Sequence, residues 1–402
     1  MTTGRTDVEI HGHCDPQFQA VADAFAQNFR ERGDNGASAC VTLDGRVVVD
    51  LWGGWKDRDR TEAWEADTLV NVWSSTKGMA AVAGHLAADQ GLLDFEAPVA
   101  HYWPEFAQAG KQDVPVKWLF THQVGLVDFD GDHPDGVALD WHEVCRRLAA
   151  TAPQWTPGAE CGYHATTWGW LVGEVVRRAA GVASFGQYFR DQVARPLGAD
   201  RDFYIGLPDA EHHRVARVFR APEPDPAGEA PPPGNLGAVR GDPVAARSGI
   251  LGMPKWSASP ASAEWKRAEM PGMNGQGNAR GLARVYAALA NGGEAFGARI
   301  MSPASVERSA RVEYEGPDRC LGVPVRRSLG FMLPASDLDT RPPEVFGHGG
   351  MGGSMGFADP VRRISFGYAM SLMAPAAGAS GANDQRGQAL AQAVYASIGE
   401  PL

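Results

Sequence analysis

Apolar residues recur at helical steps near the start of the chain. Across 15–32 (DPQFQAVADAFAQNFRER), Phe18, Val21, Phe25 and Phe29 stand three or four positions apart, which predicts an amphipathic helix. The period then changes. Residues 38–52 (SACVTLDGRVVVDLW) form two β-rich runs joined by Asp44-Gly45, a dipeptide suited to a tight hairpin because glycine tolerates positive φ. Residues 74–91 (SSTKGMAAVAGHLAADQG) read as a helix capped by Ser74 or a neighbour, lined by small apolar residues and ended by Gly91. Such an Ala- and Gly-rich helix can approach other elements closely, so a central position is expected for it.

The middle of the chain is mostly helical in pattern, over 115–123, 140–150, 166–180, 184–195 and 278–291. Segment 221–235 (APEPDPAGEAPPPGN) is rich in Pro, Glu and Ala and reads as a surface loop or lid. β pattern returns over 327–333, 345–348 and 363–373, and a last helix is expected over 386–397. Strands at both ends with helices between predict an α/β fold, with one sheet built from both termini and a mainly helical lobe inserted. The expected division is 1–95 with 292–402 for the α/β domain and 96–291 for the helical one, with the site in the cleft between them.

Composition narrows the function. The chain has 402 residues, 44% of them hydrophobic, enough for a large core. Its net charge of -11, with no Lys/Arg run, argues against a nucleic-acid partner. No stretch reaches the uncharged apolar length of a membrane span. Five scattered cysteines (Cys14, Cys40, Cys145, Cys161 and Cys320) form no C-x-x-C pair, so neither a disulfide framework nor a zinc site is expected. The first residues lack the apolar core of a secretory signal. The expectation is a soluble cytoplasmic protein, a monomer or small homo-oligomer, that needs no metal or cofactor.

Three groups of residues carry candidate chemistry. Ser74-Ser75-Thr76-Lys77 is an S-x-x-K, and positions i and i+3 of a helix share a face, so hydroxyl and amine can meet. At a helix start the Ser74 N–H is free to bind an oxyanion, and the positive helix terminus lowers the Lys77 pKa. Tyr163 is presented by a Pro/Gly-rich turn (Pro157 to Ala165), where a nearby cationic Lys would ease loss of its proton. The third group, Phe346-Gly347-His348-Gly349-Gly350-Met351-Gly352-Gly353, ends a strand, and the Met351 N–H could complete an oxyanion hole with that of Ser74. Each group has a bland reading: a cap with a surface lysine, a core tyrosine, a flexible turn.

In this order the three motifs resemble the class C β-lactamase-related serine hydrolases, which include the family VIII carboxylesterases and the D,D-peptidases. Leu119–Leu126 and Asn274-Gly275 add to the likeness, which runs from about residue 15 to 397. The resemblance implies an antiparallel sheet flanked by helices. It also implies Ser74 as nucleophile, Lys77 and Tyr163 as proton acceptors and relays, and an acyl-Ser74 intermediate. Two departures matter. Ala165 stands where the β-lactamases have the Asn of Tyr-x-Asn, and His348-Gly349-Gly350 replaces their Lys-Thr-Gly. Those are groups that would hold a β-lactam's amide and carboxylate, so a small neutral ester is the expected substrate. A β-lactamase, peptidase or amidase using the same trio is one alternative, and a catalytically silent binding protein is another. Trp73, Phe129, His164, Trp168, His348, Gly349 and Gly350 are expected pocket residues.

Some features mislead. Gly352-Gly353-Ser354-Met355-Gly356 matches the G-x-S-x-G elbow, but no histidine follows Ser354 and a strand is expected after it, so Ser354 is set aside. Asp128, Asp130 and Asp132 hint at a calcium loop, yet His133 and Leu139 occupy the places where that loop needs Gly and Glu. His11, His13, His212 and His213 read as surface histidines.

Overall fold

The computed structural model describes residues 8–220, 241–249, 258–335, 339–374 and 384–402; the Pro-rich segment 221–235 lies outside them. Nine strands form the main antiparallel sheet. In chain order they are β1 (Ile10–Cys14), β2 (Gly36–Leu43), β3 (Arg46–Gly54), β4 (Tyr314–Asp318), β5 (Val323–Arg327), β6 (Met332–Leu333), β7 (Phe346–Gly349), β8 (Met355–Asp359) and β9 (Ile364–Met370). Their spatial order is β1-β3-β2-β9-β8-β7-β6-β5-β4. The ends of the chain meet where β9 pairs with β2, from Ile364 opposite Leu43 to Met370 opposite Ala37. The β2–β3 hairpin turns at Asp44-Gly45, both at positive φ (52° and 71°), as the dipeptide predicts.

Six longer helices matter for the site: α1 (Gln19–Glu31), α2 (Ser75–Asp89), α3 (Trp141–Ala150), α4 (Trp168–Ala179), α5 (Ala279–Ala290) and α6 (Gln385–Ser397). Alternation along β9 decides which helices it meets. Ser365 and Gly367 face α5: Ser365 Oγ donates to Ala283 O at 2.7 Å, and a Cβ on Gly367 would strike Ala279 O. Tyr368 faces the α1 and α6 side, where its hydroxyl donates to Asp34. The last helix of the segment read as an inserted lobe, α5, therefore lies on the sheet.

Helix α2 runs through the interior, with every residue from Ser75 to Ala87 buried. Its glycines explain how: a Cβ on Gly78 would meet the Tyr286 hydroxyl at 2.0 Å, and one on Gly84 would meet the Phe120 ring at 2.6 Å. A small four-stranded sheet (Phe203–Tyr204, Gln276–Gly277, Leu69–Asn71 and Val215–Ala216, in that order) contains the strand that leads into α2, Leu69–Asn71.

Several elements differ from the pattern-based expectation. The helix expected over 115–123 is only Lys117–Phe120, because His122 turns the chain at φ 63°. The helix expected over 184–195 is Phe185–Phe189 followed by a π-helical turn, Arg190–Ala194. Residues 327–333 are not one strand: β5 ends at Arg327, Gly330 (φ 90°) reverses the chain, and β6 follows. The pairing of β9 stops at Met370, and Leu372–Met373 pairs with Phe219–Arg220 instead.

Candidate active site

Strand Leu69–Asn71 hands the chain to α2 through Trp73, a bulky residue held at φ 49°. Such left-handed backbone is costly for a side chain of this size and persists only where surroundings fix it. Here Thr76 Oγ1 donates to Trp73 O and accepts from Gly275 N–H at 2.9 Å, and the Trp73 ring packs edge-on against Trp265 at 6.0 Å. Ser74 follows, already helical (φ -68°, ψ -8°), and its side chain makes no cap bond. The expectation that its hydroxyl caps the helix gives way to a different use. Its Oγ lies 3.2 Å from Lys77 Nζ.

Lys77 is completely buried. Its Nζ donates to Ala165 O at 2.9 Å and to Gly272 O at 2.8 Å. No carboxylate pairs with it among the described residues. Burial, then the nearby Arg327 charge, holds its pKa well below the usual lysine value. A neutral amine has two N–H groups and one lone pair. In that form the two carbonyls take the N–H groups and leave the lone pair for the Ser74 hydroxyl; in the ammonium form Ala165 O, Gly272 O and Ser74 Oγ give each N–H an acceptor. Ala165 thus contributes its carbonyl, whatever its side chain lacks.

The Gly272 carbonyl was not foreseen. It sits on a loop held by Asn274, whose Nδ2 donates to Trp265 O and Ala268 O and whose Oδ1 accepts from Met270 N–H. Close approach of that loop requires Gly169 in α4, where a Cβ would meet Gly272 N at 2.2 Å. The signal was the Trp-Gly-Trp run at 168–170, whose glycine has no other evident reason.

Tyr163 is buried, with its ring under Lys77 Nζ (5.0 Å to the centroid) and Arg327 Cζ (5.3 Å). Its hydroxyl lies beside Ser74, which favours the phenolate, but no hydrogen bond of good geometry forms and burial dominates, pushing the phenol up to about 12. The sequence led us to expect an easily lost proton. The site instead holds a neutral phenol.

The glycine-rich turn reaches Ser74 from the sheet. Ser354 Oγ donates to Val72 O at 2.7 Å and lies 3.0 Å from Ser75 Oγ, bolting the turn to the start of α2. A Cβ on Gly350 would strike Val72 O at 2.2 Å and come within 3.2 Å of Ser75 N. Only glycine lets this backbone lie so close. Among the described residues, the N–H groups of Ser74 and Met351 donate to nothing. Ser354 itself is buried and its hydroxyl engaged, consistent with setting it aside.

The expected pocket residues divide. Next to Tyr163, the His348 ring stacks at 6.3 Å and its Nδ1 lies 2.7 Å from Gly349 O. Burial lowers its pKa to about 3, so it is neutral. His164 is a brace: its Nε2 accepts from Leu126 N–H at 2.9 Å, its Nδ1 meets Gly162 O at 2.6 Å, and burial holds it near 3 as well. Trp168 is core, with its indole N–H on Phe120 O. Phe129 is drawn elsewhere, onto His133 (4.6 Å) and under Arg147 (5.5 Å). His122 also lies at the site, 5.0 Å from the Tyr163 ring, its Nδ1 accepting from His164 N–H. A cavity of about 380 Å³ lined by Phe95, Lys117 and Arg308 lies at the opposite end of α2 and includes none of these residues.

This geometry agrees with the comparisons. The beta-lactamase family model matches residues 25–391. The chain belongs to the beta-lactamase family. Within that family, it is 37% identical over 363 residues to "Esterase/beta-lactamase LipL" of Mycobacterium tuberculosis, covering 89% of this chain and 82% of the relative. Among solved structures it resembles a family VIII carboxylesterase at 41% identity and a TM-score of 0.85, covering 97% of this chain and all (100%) of that one. A penicillin-binding protein homolog from Caulobacter crescentus matches at 38% identity and 0.84, again over 97% and 100%. The protein is a serine hydrolase of esterase/β-lactamase type, related to the family VIII carboxylesterases. Among the described residues no helix is long and apolar enough to cross a membrane.

Proposed function

We propose that the protein is a serine carboxylesterase acting on short-chain or small-molecule esters through an acyl-Ser74 intermediate. The observation that carries this reading is the buried, carboxylate-free amine of Lys77, whose N–H groups are spent on two carbonyls beside Ser74 Oγ. Ser74 Oγ attacks the ester carbonyl as its proton passes to Lys77 Nζ. The oxyanion forms against the N–H groups of Ser74 and Met351. Tyr163, a neutral phenol, gives its proton to the departing alkoxide and regains one from the Lys77 ammonium. Water then attacks the acyl carbon, its proton leaving by the same route, and the acid and free Ser74 result.

Ester preference follows from charge. His348 is neutral where a lysine would hold a carboxylate, and the relatives described as esterases support the same class. The M. tuberculosis relative is also described as a β-lactamase, which keeps β-lactams as a second class to test. We place the protein in the cytoplasm, where its five unpaired cysteines would stay reduced.

Hydrolysis of p-nitrophenyl butyrate by wild type and Ser74→Ala tests the reading. Wild type turns over and the variant is silent; equal rates would remove Ser74 as nucleophile. Nitrocefin turnover exceeding that of the ester would move the substrate class to β-lactams. Failure of a phosphonate probe to label Ser74 would favour a silent binding role.

A further inference from the structure

Arg327 is almost wholly buried, and one of its N–H groups, Nε, has no partner. Its Nη2 donates to Asp318 Oδ2 at 2.5 Å. Asp318 is equally buried, and its Oδ1 accepts the N–H groups of Tyr163, Cys320 and Leu321. A buried ion pair is a poor source of stability compared with apolar side chains of the same volume, and an orphaned N–H makes it poorer. The pair nevertheless sits directly under the Tyr163 ring.

We propose that Arg327 is a positioning residue for the hydrolytic reaction: anchored by Asp318 against the same Tyr163 ring that Lys77 meets, it sets a fixed charge near the buried Lys77 amine and seats that ring beside Ser74. This inference rests on the roles proposed above for Ser74, Lys77 and Tyr163. Its logic is that of two cations in one dry site. The guanidinium cannot lose its proton, so the amine is the group that stays neutral.

The groups facing the guanidinium are Asp318 and Tyr314 on β4, Cys161 and Tyr163 on the turn before α4, Lys77 on α2, His348 on β7, and His122 and His164. Burial keeps the three imidazoles uncharged and pushes the Cys161 thiol up to about 12. Near neutral pH, Lys77 is therefore the group that answers to the Arg327 charge.

The test is the pH profile of kcat/KM for p-nitrophenyl butyrate. In the paired variant Arg327→Gln with Asp318→Asn, no buried charge is orphaned. Arg327 rather than Asp318 is the charge that acts on Lys77, so the paired variant raises the Lys77 pKa and the acidic limb moves to higher pH. Arg327→Lys puts an amine that can lose its proton in place of a guanidinium that cannot, so its limb lies between those of wild type and the paired variant. A paired variant whose rate falls equally at every pH, with the limb unmoved, overturns the proposal and leaves Arg327 a structural residue. If that paired variant does not fold, Arg327→Met with Asp318→Asn takes its place under the same criterion: a folded protein with an unmoved limb overturns the proposal. Ser74→Ala is run alongside. Activity in that variant defeats the esterase reading itself, whereas a silent Ser74→Ala with an unmoved limb defeats only the inference about Arg327.

Discussion

Two walls meet at Ser74, and they are held in opposite ways. On the helical side, Lys77 stands in a dry cradle of backbone carbonyls with no counter-ion among the described residues. On the sheet side, the turn carrying the Met351 N–H is clamped from behind by a buried cluster of one guanidinium and two carboxylates. Arg386 Nη2 donates to Gly352 O at 2.9 Å, its other nitrogens reach Asp384, Asp34 and Leu372 O, and Tyr368 donates to Asp34. Gly353 lies against Asp384 so closely that a Cβ would overlap Oδ2. On the proposed mechanism, the first wall leaves an amine without a counter-ion so that a proton can move. The second gives each charged group hydrogen-bond partners, which hold a backbone dipole in place. Reactivity and rigidity are separated by a few residues.

The sharpest way to break this comparison is Lys77→Met. The apolar chain fits the volume but removes the lone pair. General-base loss of roughly 10²–10⁴-fold in kcat/KM is expected. Two carbonyls lose donors while a buried amine is removed, so the melting temperature should move little. A large loss of stability with unchanged specific activity in the folded fraction would mean that the cradle is structural.

The opposite wall should respond in the opposite order. Arg386→Met leaves Asp34 and Asp384 without their buried cation, and removing one partner of such a cluster costs about 3–5 kcal/mol. Denaturant unfolding should register that loss first, with the rate falling as the turn loosens. Stability unchanged within 1 kcal/mol, taken as about the floor for such a buried group, would show that the turn holds itself.

Legibility in the sequence follows the same division. Ser74 and Lys77 are one helical turn apart, so their meeting is a local fact that spacing reveals. The β2–β3 hairpin, α1 and α6 were readable for the same reason: period and turn chemistry act within a few residues. Arg327, Gly272 and Arg386 are brought to the site by pairings far apart in the chain, and no local pattern distinguishes them from surface arginines or loop glycines. Strand β1 was hidden because its three central residues, His11, Gly12 and His13, are all exposed, so no alternation marks it. The two-residue strands of the small sheet are too short to carry a period at all. Burial explains the one chemical expectation that reversed. A tyrosine beside a lysine loses its proton easily only if the lysine is charged, and here burial pulls the lysine pKa down and pushes the phenol's up.

The smallest expected effect tests the cradle without touching a reacting group. Gly169 in α4 admits the loop that carries Gly272 O to Lys77, and a Cβ there would lie 2.2 Å from Gly272 N. Backbone cannot give way as a side-chain tip can, so Gly169→Ala must push the loop off α4. Overpacking of this kind costs about 1–3 kcal/mol. The same displacement lengthens the 2.8 Å contact from Lys77 Nζ to Gly272 O. A lysine with only one carbonyl to hold it loses the orientation that aims its lone pair at Ser74. We expect kcat to fall about tenfold with KM nearly unchanged, because misplacing a catalytic group by a fraction of an ångström costs rate rather than binding. A variant that is less stable but keeps wild-type kcat would show that Ala165 O alone suffices to orient the amine, and the cradle would then need only one of its two carbonyls.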